Sequence, residues 1–330
     1  MPAVLALVAA FIFGSADFIG GFAAKTLRSL AVTAVSALSG LLAMVVVALV
    51  ARPVWHPDDV LWAALSGVSS VAAVALLYGC LAIGPMSILS PLGAVVAAIG
   101  PVLWELLVNG EQLTGMTLAG LVLALTATVL VGFIPGQKVV RPTLRGVLMA
   151  IGSGLGIGVF MIVMSGTHAD AGVAPLIVNR GVNALLCSLF VVGVMIAARR
   201  RGQRATSALV ASGPQLGATP SGRADLEHAR PDHAPRGLGA GDPHAGAMRL
   251  VAIGALWATV GGVVDAIANA LTIIALRSGD LGIVAALTSM YPAGTILLAA
   301  VVLRERIAPV QWAGLVLALA AAVLFALPAP

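Results

Sequence analysis

Apolar stretches about twenty residues long, separated by short polar breaks, recur along nearly the whole chain. A helix needs about 20 residues to cross the hydrocarbon core of a bilayer. Backbone amides and carbonyls must be satisfied within the protein there, so spanning segments are helices or strands of closed barrels. These stretches are too long and too continuous for tilted barrel strands, which take roughly 10 residues of alternating character. The spacing predicts ten transmembrane helices near 3–23, 30–51, 59–81, 87–108, 114–134, 143–164, 173–198, 249–276, 281–303 and 308–327. Composition agrees, with 60% of the 330 residues hydrophobic and 9% charged, against about 25% charged in soluble domains. The first stretch, MPAVLALVAAF, has neither a basic leader nor a small-residue cleavage pattern, and is expected to stay as a helix.

The remaining residue classes exclude several functions. The net charge of +5 comes from loops, where it bears on membrane orientation and anionic lipid rather than on nucleic acid. Cys80 and Cys187 each sit inside an apolar run, without metal-type spacing, and are expected to pack. No P-loop is present. Three of the five histidines (His228, His233 and His244) scatter through a Gly/Pro-rich segment and read as solvated, while His56 and His168 fall in loops. Neither a metal nor another cofactor is expected. The spans hold no Ser/His or Cys/His set, which argues against a membrane enzyme acting on lipid-linked substrates. A scaffold or sensor is the other alternative to a transporter.

One connection differs in kind. Arg199 to Arg249 is rich in Gly, Pro, Ala, Ser and Arg, has no aromatic residue, and reads as a disordered linker. On either side of it the chain repeats itself. NGEQLTGMTLAGLVLAL (Asn109 to Leu125) aligns with LRERIAPVQWAGLVLAL (Leu303 to Leu319), and Glu111 falls on Glu305. Upstream, Ala75 to Leu89 matches Ala270 to Val284 with a one-residue shift, and GSADFIGGF (Gly14 to Phe22) resembles GSGLGIGVF (Gly152 to Phe160). The resulting organisation is a first five-helix repeat over 1–136, two helices of a second repeat over 137–198, the linker over 199–248, and three further helices over 249–330. An odd number of spans per repeat makes the second copy enter the membrane in the opposite direction, the inverted design of secondary transporters.

Two five-helix halves, each with an acidic residue in a short turn before a fifth helix of pattern AGLVLAL, resemble the EamA-type branch of the drug/metabolite transporter superfamily. The resemblance covers every predicted helix and omits the linker. It implies that Glu111 and Glu305 belong to a turn signature, carried here by GEQLT (Gly110 to Thr114) and RERIA (Arg304 to Ala308). Arg304 stands where the first copy has Gly110, so a shared turn shape does not follow from sequence. Members of the family move small metabolites, amino acids or drugs, and are similar in placing both chain ends in the cytoplasm. The count of Lys and Arg in short loops points the other way. Lys25, Arg28, Lys138, Arg141, Arg145, the linker arginines, Arg304 and Arg306 share one face, against Arg52 and Arg277 on the opposite one.

Ionised side chains cost roughly 2.5 to 3.5 kcal/mol at the bilayer centre on insertion scales, so those within spans face a partner or a cavity. Asp17 lies in span 1, Arg180 in span 7 between Asn179 and Asn183, and Asp265 in span 8, four residues before Asn269 and on the same helix face. Arg180 reads either as a structural ion pair with Asp265 or Asp17, or as a binder of an anionic substrate group. Burial disfavours the charged form of a carboxyl, which makes Asp17 the candidate for proton coupling; related small multidrug transporters are similar in using a first-helix carboxylate. Glu105, near the end of span 4, is expected to snorkel to the interface. Tyr78 and Tyr291 are candidate cavity aromatics. Pro91 and Pro101 in span 4 and Pro292 in span 9 are expected to break the hydrogen-bond ladder in equivalent helices. The expectation is an all-helical membrane exporter of a small molecule.

Overall fold

The computed structural model of the chain describes residues 2–24, 26–83, 86–110, 114–132, 143–202, 243–304 and 307–326. They form α1 (Pro2–Ala24), α2 (Ser29–Ala51), α3 (Pro57–Ile83), α4 (Met86–Trp104), α5 (Gly115–Gly132), α6 (Leu144–Ser165), α7 (Ala174–Arg200), α8 (Pro243–Ser278), α9 (Leu281–Thr288), α10 (Tyr291–Val302) and α11 (Pro309–Ala326). No strand occurs among them. Among the described residues nine segments are long and apolar enough to cross a membrane, with α9 and α10 joined as one crossing, and α11 adds a shorter apolar helix. Ten crossings put the start of α1 and the end of α11 on one face.

The interior is built from small residues. Ala6, Ala9, Ala63, Ala124, Ala150, Ala266 and Ala321 are fully buried, whereas Leu42, Leu49, Val50 and Leu107 point outward. Lipid tails are as apolar as leucine, so nothing drives large side chains inward, and small ones let backbones approach. Glycines of α1 and α6 illustrate it. A Cβ on Gly14 of α1 would overlap the Tyr291 carbonyl and Thr295 amide of α10, and one on Gly154 of α6 would overlap the Gly93 carbonyl of α4.

These contacts belong to a repeated pattern. α1 packs along α8 and against α9 and α10, while α6 packs along α3 and α4. α2 lies against α8 as α7 lies against α3, and the pairs α2 with α7 and α5 with α11 bridge the two sets. Exchanging each helix with its counterpart five crossings later reproduces the same list. Such pairing is what an inverted repeat requires.

Local geometry differs from expectation in several places. Pro292 does coincide with a break, because α9 stops at Thr288 and α10 begins at Tyr291 with Pro292 in its first turn. Pro91 and Pro101, by contrast, stay inside one uninterrupted α4. The chain then widens into a π turn over Glu105–Asn109, just beyond Pro101. Glu105 does not snorkel. It is buried and accepts the backbone amides of Leu281 and Gly282, each at 2.6 Å, so the carboxylate caps α9. A helix N-terminus carries unpaired amides and partial positive charge, which satisfies a buried carboxylate better than leaving it at the interface.

The two repeat turns share one feature despite their different residues. Gly110 (φ 69°) and Arg304 (φ 56°) are both left-handed. The signature acids Glu111 and Glu305 lie outside the described residues, as do linker residues 203–242. α7 runs on to Arg200 and α8 starts at Pro243, so both ends of the expected linker segment are helical.

Candidate functional site

α7 carries Asn179, Arg180 and Asn183 within one turn, and each is turned into the bundle. Arg180 Nη2 donates to Asp265 Oδ2 of α8. Of the two partners that sequence allows, Asp265 is therefore the one engaged. Their side chains are 11% and 32% exposed, so the carboxylate is the accessible half of the pair. Asn269 Nδ2 donates to the Asp265 carbonyl at 2.8 Å and lies 3.5 Å from Oδ2, as the i, i+4 spacing requires.

Space for the guanidinium is made by glycine. A Cβ at Gly40 of α2 would stand 3.2 Å from Arg180 Nη1 and 2.9 Å from the Gly262 carbonyl of α8. Asn179, 3% exposed, donates to Ser66 Oγ at 2.9 Å and Ser70 Oγ at 3.4 Å, and receives the Asn183 amide on its Oδ1 at 3.1 Å. A polar chain thus runs from α3 through α7 to α8. Ser66, Ser70, Gly40 and Gly262 were not singled out from sequence. Ser66 and Ser70 share a face of an apolar helix, which is a legible signal; the glycines announce nothing without their neighbours.

Asp17 of α1 is half-buried and lies within electrostatic reach of Asp265 and of Tyr291, the first residue of α10. Asp17, Asp265, Arg180 and Tyr291 therefore converge from α1, α8, α7 and the α9–α10 break. Pro292 is beside this convergence, whereas Pro91 belongs to the contact of α4 with α5 and Pro101 to that of α4 with α6. The Tyr78 side chain lies outside the described residues. No group of three or more His, Cys, Asp or Glu side chains suited to a metal occurs among the described residues. The chemistry available is ionic. An incoming anion can take Arg180 from Asp265, and an incoming cation or proton can take a carboxylate from Arg180.

The sequence profile of the EamA-like transporter family matches residues 1–133 and 243–327. Among 27 matching chains of solved structures, one described only as a protein crystal structure superimposes with a TM-score of 0.63 at 17% identity, over 98% of this chain and 96% of that one. That likeness concerns the fold. No curated protein matches the chain.

Proposed function

The chain belongs to the EamA-like transporter family, and from that premise we propose that it is a secondary active transporter that exports a small metabolite or drug by alternating access, with proton coupling at Asp17. It is a multi-pass membrane protein of a transporter family. The observation that supports the finer reading is the convergence of Asp17, Arg180, Asp265 and Tyr291 inside the bundle, at a helix break.

Discontinuous helices near the middle of the membrane are where secondary transporters form their sites, because a break supplies backbone groups without exposing them to lipid. Arg180 and Asp265 already satisfy one another in this conformation. Substrate entry then exchanges one ionic contact for another, which keeps the cost of desolvation low in both the loaded and the empty states. Asp17 stands close enough to Asp265 that the two carboxylates feel each other's charge. Taking up a proton at Asp17 relieves that repulsion, and losing it favours a bound cation. Proton and substrate thereby compete, which is the requirement for exchange.

The face bearing Arg28, Arg145, Arg199, Arg200, Arg201, Arg249 and Arg304 is assigned to the cytoplasm by the positive-inside rule. The test begins with metabolite profiling of spent medium from cells lacking or overproducing the protein, to name the exported compound. Its flux is then measured in proteoliposomes under an imposed pH gradient. Wild type should show gradient-driven flux and Asp17→Asn should lose it; unchanged flux in Asp17→Asn removes the coupling role.

A further inference from the structure

On the face that holds both chain ends, two connections grip each other through side chains that the transport site does not use. His56, in the connection from α2 to α3, places Nε2 3.0 Å from Asp170 Oδ1 in the connection from α6 to α7. His168, in that second connection, returns the arrangement: its Nδ1 is 3.0 Å from Asp59 Oδ1, and its backbone amide donates to Asp59 Oδ2 at 3.1 Å. Between these two pairs the imidazole rings stack, with centroids 4.1 Å apart and planes 20° from parallel.

Backbone contacts tighten the same junction. The Val54 amide donates to the Asp170 carbonyl at 3.4 Å. Arg277, in the last turn of α8, donates from Nη2 to the carbonyls of Gly172 (2.8 Å) and His168 (3.3 Å). The first repeat contributes His56 and Asp59, and the second contributes His168, Asp170 and Arg277. Any motion that opens this face between the two connections must part both His–Asp pairs and the stack.

We propose that this cluster is a proton-dependent clasp, which holds the α2–α3 and α6–α7 connections together and keeps this face closed until protons leave it. Its bearing on export rests on the alternating-access reading above; the clasp itself does not. The titratable and charged groups that face His168 are Asp58 and Asp59 from α3, His56 from the α2–α3 connection, Asp170 from its own connection and Arg277 from α8. The hydrogen bond to Asp59, aided by the charges of Asp59, Asp170 and Asp58, holds the His168 imidazole above its ordinary value near 6.5. A group whose pKa is raised by an interaction strengthens that interaction when protonated. The added hold is therefore fully present below the ordinary imidazole value and is lost as pH rises through the elevated one. Each unit by which the clasped and parted values differ changes the closed-to-open ratio about tenfold.

The experiment reads amide hydrogen exchange across Thr167–Val173 in the full chain in lipid nanodiscs, without substrate, after correction for the intrinsic pH dependence of exchange. Wild type should lose protection as pH rises from about 6.5 into the alkaline range, by up to about tenfold per unit of His168 pKa difference. His168→Gln and Asp59→Asn should each give weaker protection that no longer varies with pH. Corrected exchange that is flat with pH in wild type overturns the proposal, as does a wild-type-like pH dependence in either variant. Should both variants fail to fold, the wild-type profile alone decides. Because the readout needs no transported compound, loss of the clasp and loss of the transport reading are separate results.

Discussion

α4 and the α9–α10 pair occupy equivalent places in the two repeats, and both carry proline, yet one stays continuous and the other breaks. Pro91 and Pro101 lie against Gly132 of α5 and Gly158 of α6, positions without side chains that accommodate the rings while α4 continues. Around Pro292 the chain instead has Thr288 and Ser289, whose hydroxyls donate to the carbonyls of Val284 and Ala286 at 2.7 Å each. Those hydroxyls compete for the helix ladder and end α9 early. A proline alone therefore does not set a break. The neighbouring polar residues decide whether the backbone bends around it or stops.

The same divergence separates α1 from α6. Both pack through glycine onto the equivalent helices of the other repeat, but α1 carries Asp17 where α6 carries Leu155, which is 50% exposed on the outer surface. Duplication supplied the packing twice. The charged groups were placed once, and chiefly where α1 meets the second repeat.

The largest test of that asymmetry is Arg180→Leu. It leaves Asp265 without its guanidinium and should cost about 3–5 kcal/mol of stability, whereas the double change with Asp265→Leu should recover most of it. Thermal unfolding in detergent measures both; a double variant no better than the single one would mean that Arg180 holds the fold by some other contact. Next in size are Gly14→Val and Gly154→Val. Each forces a side chain into a facing backbone and should cost about 1–3 kcal/mol. Equal losses support equivalent roles for α1 and α6, and a loss confined to one breaks the comparison. Gly193→Ala, where a Cβ meets nothing within 4 Å, serves as the control and should be neutral or slightly stabilising.

The smallest effect concerns the two turns. Gly110→Ala puts a side chain into a left-handed conformation and should destabilise by about 1 kcal/mol, while Arg304→Gly should stabilise by a similar amount. Opposite signs at equivalent positions confirm that the turns share one backbone shape. The same measurement on both variants, again by unfolding midpoint, checks it.

How much of this was legible in the sequence follows the distance over which each feature is encoded. The crossings, the repeat and the pairing of Asp265 with Asn269 rest on local period or on comparison of the chain with itself. Arg180 was recognisable as a charge in need of a partner, and the choice of Asp265 required the packing of both α7 and α8 on α2, where Gly40 meets Gly262 and leaves room for the guanidinium. Nothing near Glu105 hints that residues 281 and 282 will receive it. Nor do His56 and His168, separated in sequence and each unremarkable in a loop, announce that they stack. The left-handed turn at Arg304 was hidden because arginine rarely adopts it, and only the repeat partner Gly110 points to it.

Glu105 carries a further consequence, for the order in which the protein is made. Its donors arrive 176 residues later, which at about 5–20 residues per second is roughly 9 to 35 seconds of synthesis. Until Leu281 emerges, α4 sits in the membrane with a carboxylate that has no α9 to cap, and is free to lie shallower than in the finished bundle. Arrival of α9 then pulls that end to its final depth. The first repeat is thus completed by the second, and a nascent chain stopped within the linker holds seven helices, with the end of α4 still lacking the α9 amides that anchor it.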